Sequence, residues 1–314
     1  MRKLNLKIKE ENDSGFSAVA SGRFTNKDGR YNVKKKGINV FDKYSWYHTF
    51  LLLPRFKFIG VLVIAYIIAN LVFASIYYAI GIEHLTGIDK SSPIQEFIDV
   101  FFFSAQTFTT VGYGRIAPVG ALASFVATFE AFLGLLGFAI ATGLFYGRFS
   151  RPRAFLKFSD IAVIAPFEDG KALMFRVAPF KNNLLSEAEV TISAAIEEMV
   201  EGKLESKFYL LEPKLKKINT FSLNWTIVHK IDSNSPFYEY TEEDFKNADI
   251  ELIIMIKAFD EVFANTVVQR TSYISPEIIY GAKFLPMYHS SEDQKTTILD
   301  LDKINFHQKV SIDN

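Results

Sequence analysis

Between Phe58 and Ile82 the chain runs for 25 residues without a charged side chain. A helix rises ~1.5 Å per residue, so this stretch outreaches the ~30 Å of hydrocarbon in a bilayer. Within that hydrocarbon an isolated segment satisfies its own backbone only as a helix. A second stretch, Val119 to Gly147, runs for 29 residues with Glu130 as its only charge. The two predict a pair of transmembrane helices, and the remaining features of the 314-residue chain are read around them.

The 36 residues between these stretches are too few for a domain. Ser92, Pro93 and Gln95 form a helix-start signature: a serine cap, a proline in the first turn and a glutamine at the capping-box position. The apolar run from Ile94 to Phe108 is too short to cross, so it is expected to enter the membrane and return. Such a helix directs its partially negative C-terminal end at the bilayer centre. Next come Thr110, Val111, Gly112, Tyr113 and Gly114. Between soluble strands a Gly-Tyr-Gly is ordinarily a turn. Between two membrane spans it reads as an extended filter strand, whose carbonyls from Thr110 to Tyr113, with the Thr110 hydroxyl, replace the hydration shell of potassium. One strand lines only one side of an ion, which predicts a fourfold homotetramer. The implied cofactor is K+ as permeant ion, with no organic cofactor.

Charge sets the orientation. Thirteen Lys and Arg fall between Met1 and Lys57, only Lys90 and Arg115 between Ile82 and Pro118, and Arg148, Arg151, Arg153 and Lys157 follow the second span. The positive-inside rule then puts both termini in the cytoplasm and the filter loop outside. The first forty residues lack an apolar core, so no cleavable signal is expected. The neutral, cysteine-free composition fits a bacterial inner membrane and excludes disulfides and thiolate metal sites. Residues 1–39 form a polar, basic N-terminal segment. Residues 40–53 carry apolar positions at helical spacing, with Tyr44, Trp46 and Tyr47 beside Asp42, Lys43 and His48, as in a helix lying in the membrane interface; a short helix packed on a soluble domain gives the same pattern. Pro54 ends it, and Arg55 and Lys57 stand at the cytoplasmic edge of a pore domain over 54–147.

Glu130, level with the filter, reads either as a functional acid or as a brace bonded to the filter strand from behind. Gly134, Phe138, Thr142 and Tyr146 share one helical stripe. Two readings stand: Gly134 a hinge with Phe138 and Tyr146 a dewetting constriction, or plain helix-packing and lipid-facing aromatics. From residue 148 to 314 charges become common, and short β-branched and aromatic runs (172–179, 221–231, 251–259, 267–274) separated by turn signals predict a β-sandwich. Residues 186–200 fit helix or strand. The domain has no phosphate-cradling glycine loop and no nucleophile–base constellation, so an enzyme is not expected, nor is nucleic acid among the partners.

Taken together, two spans, a re-entrant filter and a β-rich C-terminus resemble the inward-rectifier potassium channels, and specifically the prokaryotic KirBac branch. The likeness rests on the filter, on Glu130 to Gly137, on Tyr146 to Pro152, on Ser222 to His229 with Ser235-Pro236, and on Thr271 to Tyr273 with Glu277 to Gly281. It implies an immunoglobulin-like cytoplasmic sandwich, a slide helix at 40–53, strand for 186–200, and a gate at Phe138 and Tyr146. The position of Phe138 is acidic in strongly rectifying members, where it binds Mg2+ or polyamines; with an aromatic here, strong block at this site is not expected. Some members pair a pore-helix acid with an arginine just after the filter. Gln106 stands at that acid's position, which predicts that Arg115 lacks this partner. Arg55, Lys57, Arg148, Arg151 and Arg153 resemble the family's anionic-phospholipid site, although positive-inside topology explains the same charges. A competing function is a membrane-anchored β-sandwich receptor with a non-conducting pore.

Overall fold

The computed structural model of the chain describes residues 22–37, 39, 45–200 and 203–312, the side chains of 198–205 excepted. Two compact units emerge, one of residues 36–151 and one of residues 1–35 with 152–314.

The first unit is helical. Helix α1 (Trp46–Leu52) is capped by Ser45, whose hydroxyl accepts from His48 N–H; the rest of the expected interfacial stretch, 40–44, lies outside the described residues. Helices α2 (Arg55–Ile80) and α4 (Ala121–Phe149) have mean hydropathies of 2.5 and 1.8 over their most apolar windows. Only 17 % and 11 % of those windows is buried within the chain, which excludes the core helix of a soluble domain and leaves lipid or another copy as the surroundings. Between them α3 (Pro93–Phe108) starts on Ser92, whose hydroxyl accepts from Gln95 N–H at 3.2 Å. The reciprocal half of the expected capping box is not made. The Gln95 amide donates instead to Asp99, because that carboxylate is one turn away on the same face. Strands β1 (Leu85–Thr86) and β2 (Ala117–Pro118) form a two-residue ladder that closes the loops on either side of α3.

The second unit is the expected immunoglobulin-like sandwich. In chain order its strands are β3 (Leu156–Phe158), β4 (Ala162–Phe167), β5 (Gly170–Pro179), β6 (Leu185–Val200), β7 (Lys203–Leu211), β8 (Lys217–Thr220), β9 (Trp225–Ile231), β10 (Ile250–Asp260), β11 (Asn265–Ile274) and β12 (Ile278–Tyr280), with the short helix α5 (Glu242–Asn247) before β10. One sheet runs β12-β4-β5-β3 with β9 also on β5; the other runs β11-β10-β6-β7 with β8 also on β6. The stretch left open by its pattern is therefore strand: β6 pairs antiparallel with β10, β7 and β8. Strand β9 alternates with a period of two. Trp225, Ile227, His229 and Ile231 are buried while the residues between them are half-exposed, and Ile250, Leu252, Ile254 and Ile256 face them across the core. The small hairpins β13 (Ala282–Phe284) with β16 (His307–Lys309) and β14 (Tyr288–Ser290) with β15 (Thr297–Leu299) complete the unit. Ala282 and Phe284 pack under Val163, Ala172 and Met174, so β5 is covered on both faces.

Residues 22–35, read from sequence only as a basic segment without period, belong to this unit. Glu251 accepts from the N–H groups of Phe24 and Thr25 at 2.7 Å each, Glu277 pairs with Arg23 and with Lys27, and Ser272 donates to Thr25 O. Burial pushes the Glu251 carboxyl up from its ordinary value, against the pull of those two N–H groups.

His229 is the buried polar exception on β9. Its Nδ1 lies 2.8 Å from Glu212 O and its Nε2 2.8 Å from Ser235 Oγ, and burial lowers its pKa. A lowered folded value means that the unfolded chain binds the proton more tightly, so stability is complete above the unfolded value of about 6.5 and is lost as pH falls below it. Melting followed by Trp225 fluorescence in a Trp46→Phe background should drop as pH is lowered through that range. The drop should be reduced in His229→Gln, which cannot titrate.

Candidate functional site

The site is built on the C-terminal end of α3. Thr110 N–H donates to Thr107 O at 3.0 Å, Val111 N–H to Gln106 O at 2.9 Å and Gly112 N–H to the same oxygen at 3.3 Å. Three consecutive N–H groups thus turn toward the helix. In a trans peptide the carbonyl points opposite to the N–H that shares its plane, and the chain has no cis bond among the described residues. The carbonyls of Thr109, Thr110 and Val111 therefore point together away from α3. A regular strand cannot do this, since its carbonyls alternate. The backbone here departs from the expected extended strand by alternating in hand, with φ of 59° at Thr110, 52° at Gly112 and 82° at Gly114. Glycine adopts that region freely, whereas Thr110, β-branched, is strained there. Val111 and Tyr113 are exposed, at 52 % and 80 %.

Two clamps hold it. At the outer end Arg115 pairs with Asp99 at 2.7 Å, and Asp99 also accepts from Asp89 N–H at 3.0 Å. This corrects the expectation for Arg115: an acid on α3 does pair with it, but from position 99, two turns before Gln106. Gln106 serves through its backbone oxygen instead. Deeper, Glu130 is fully buried, with Oε1 2.5 Å from Ser104 Oγ on α3 and Oε2 accepting from the Tyr77 hydroxyl on α2 at 2.7 Å. Its partners are thus the pore helix and the first span, not the filter strand that the sequence reading named. Asn70, also fully buried, lies against Ser104. Sequence reasoning missed Tyr77, Ser104, Asn70 and Asp99; an amide inside the first span was the available signal, since Asn70 is the only one there.

Helix α4 is continuous through Gly134. A Cβ at that residue would lie 1.9 Å from Phe108 O, so close approach to the end of α3 is what demands glycine. Gly134, Phe138, Thr109 and Thr110 line one cavity of about 580 Å³, which puts Phe138 on the same side of α4 as Thr109 and Thr110. Phe138 and Tyr146 are 72 % and 75 % exposed. Among the five basic residues singled out, Arg55, Lys57, Arg151 and Arg153 are exposed. Arg148 instead donates to Phe50 O and Leu51 O at 3.5 Å, fastening the end of α1 to α4, and stacks over Phe58.

Residues 156–314 match the family model of the inward rectifier potassium channel C-terminal domain, and residues 57–151 match an ion channel model. The chain is 36 % identical over 291 residues to the inward rectifier potassium channel Kirbac3.1 of Paramagnetospirillum magnetotacticum, covering 91 % of this chain and 95 % of that one. It is 26 % identical over 288 residues to the inward rectifier potassium channel irk-1 of Caenorhabditis elegans, covering 85 % of this chain and 53 % of that one.

Two substitutions check the geometry. Gly134→Ala should force α4 off Phe108 and cost ~1–3 kcal/mol, read as a lower melting temperature of the purified protein. Asp99→Asn, which strips the charge from a buried acceptor of three bonds, should cost ~1–3 kcal/mol and leave the filter loop more open to proteolysis.

Proposed function

This chain belongs to the inward-rectifier potassium channel family, and from that premise we propose that it conducts potassium passively through a fourfold pore in a bacterial inner membrane, with both termini in the cytoplasm. It is a membrane channel and not an enzyme, so its work is to make a dehydrated ion as stable in the pore as in water. The observation that carries the reading is the row of N–H groups turned into the end of α3. It leaves the carbonyls on the other side without protein partners in one chain, and four such chains around an axis supply a complete cage. Thr110, Val111, Gly112 and Tyr113 are the proposed ion ligands through their carbonyls, with the Thr110 hydroxyl.

The α3 end adds a partially negative dipole beneath the filter. Glu130 braces that helix through Ser104, and Asp99 with Arg115 braces the outer end. Phe138 and Tyr146 are the proposed gate. Eight residues separate them, ~12 Å along a helix, and an aromatic ring of four at either level closes a pore by excluding water. Gly134 is the proposed pivot for any movement of α4, although packing alone accounts for the residue. Arg55, Lys57, Arg151 and Arg153 are the proposed contacts for anionic lipid phosphates. Arg148 contributes through α1, whose exposed Trp46 and Tyr47 suit the headgroup layer. An aromatic at 138 makes Mg2+ or polyamine block weak.

The test is potassium-driven flux in liposomes that contain the purified protein. Flux carried by potassium and not by sodium, blocked by barium, and lost in Gly112→Ala while the tetramer survives, is the expected result. An intact wild-type tetramer that stays silent with and without anionic lipid would overturn the proposal.

A further inference from the structure

Ser104 Oγ stands where three oxygens meet: Glu130 Oε1 at 2.5 Å, Asn70 Oδ1 at 3.1 Å and the Asn70 carbonyl at 3.2 Å. Ser104, Asn70 and Glu130 are all fully buried. The orientation of the Asn70 amide is fixed independently, because its Nδ2 donates to Tyr66 O at 2.7 Å. A flip would set two carbonyl oxygens against each other there. Oδ1 therefore faces the serine, and the serine has a single proton to give.

With Glu130 ionised, that proton goes to the carboxylate. The Asn70 oxygens then confront the serine oxygen lone pair to lone pair in a fully buried site. A fully buried carboxylate would also stand against two neutral hydroxyls, Ser104 and Tyr77, with no Lys, Arg or His bonded to it among the described residues. With a proton on Glu130 Oε1 the count closes. Glu130 donates to Ser104 Oγ, Ser104 donates to Asn70, Asn70 donates to Tyr66 O, and Tyr77 donates to Glu130 Oε2. Four hydrogens then fill the five contacts, with the Ser104 hydrogen shared between the two Asn70 oxygens, and no charge is buried.

We propose that Glu130 stands in the folded protein as a neutral carboxylic acid, the middle link of a hydrogen-bond chain that ties α2, α3 and α4 together behind the filter. The protonation follows from the hydrogen count alone. Its consequence for permeation rests on the filter reading above: four such acids hold the filter mechanically and add no negative charge behind it, so the field on the ion comes from backbone carbonyls.

Infrared difference spectra of the full-length protein in lipid, wild type minus Glu130→Gln, test this directly, beside flux from the same preparations. The expected spectrum has a protonated-carboxyl stretch that the variant lacks, and Glu130→Gln, a neutral isostere, keeps flux within about twofold of wild type, while Glu130→Ala loses tenfold or more. Should Glu130→Gln fail to assemble, Ser104→Ala serves: removing the acceptor should move the same acid band to higher frequency. Loss of carboxylate bands in place of the acid band, or no shift of an acid band in Ser104→Ala, would overturn the proposal. A wild type that shows the acid band and no flux would refute the channel reading and leave the protonation standing.

Discussion

A peptide carries its N–H and its C=O on opposite sides, and a membrane interior offers no water to either. The structure resolves that constraint at residues 110–112 by giving the N–H groups to the end of α3 and leaving the carbonyls to face outward. Carbonyls without protein partners must be met by water or by a cation, and in the proposed pore potassium takes that place. The other features of the helical unit follow from keeping that row in place. Gly134 admits Phe108 to within packing distance of α4, Glu130 and Tyr77 bridge three helices, and Asp99 restrains Arg115.

The cost is local strain. Thr110 holds a left-handed φ that a β-branched residue avoids, and it stays there because its own N–H and those of the next two residues are fastened. Strain maintained by its surroundings suits the proposed filter, since a backbone free to relax would lose the spacing that separates one ion from another. It also explains why so much buried polar chemistry is spent near α3, where Asn70, Ser104, Glu130 and Asp99 are all under a tenth exposed.

Much of this was legible in the sequence, for identifiable reasons. Both spans, the re-entrant helix and its Ser92 cap are encoded locally by apolar run length and helix-start chemistry, and the structure keeps them to within a few residues. The β-branched and aromatic runs at 172–179, 221–231, 251–259 and 267–274, separated by turn signals, made the sandwich visible. What local pattern cannot encode is which distant groups meet. Glu130 was conspicuous as a lone acid, yet its partners lie 26 and 53 residues away. Asp99 finds Arg115 by way of a helix geometry that the motif comparison with Gln106 did not capture. Gly134 looks the same in sequence whether it bends a helix or lets one approach. The docking of residues 22–35 had no periodic signal, because it runs on side-chain carboxylates of Glu251 and Glu277 and not on an apolar face.

The central claim is that one face of residues 110–113 is a set of potassium ligands, and the most direct measurement is anomalous X-ray scattering from crystals of the tetramer grown in rubidium, a heavier ion of similar size. The expected result is a column of anomalous peaks on the fourfold axis at the level of the Thr110 to Tyr113 carbonyls, absent when sodium replaces rubidium. An ordered filter with no peak on the axis, or peaks of equal strength from a sodium-like ion, would contradict the account.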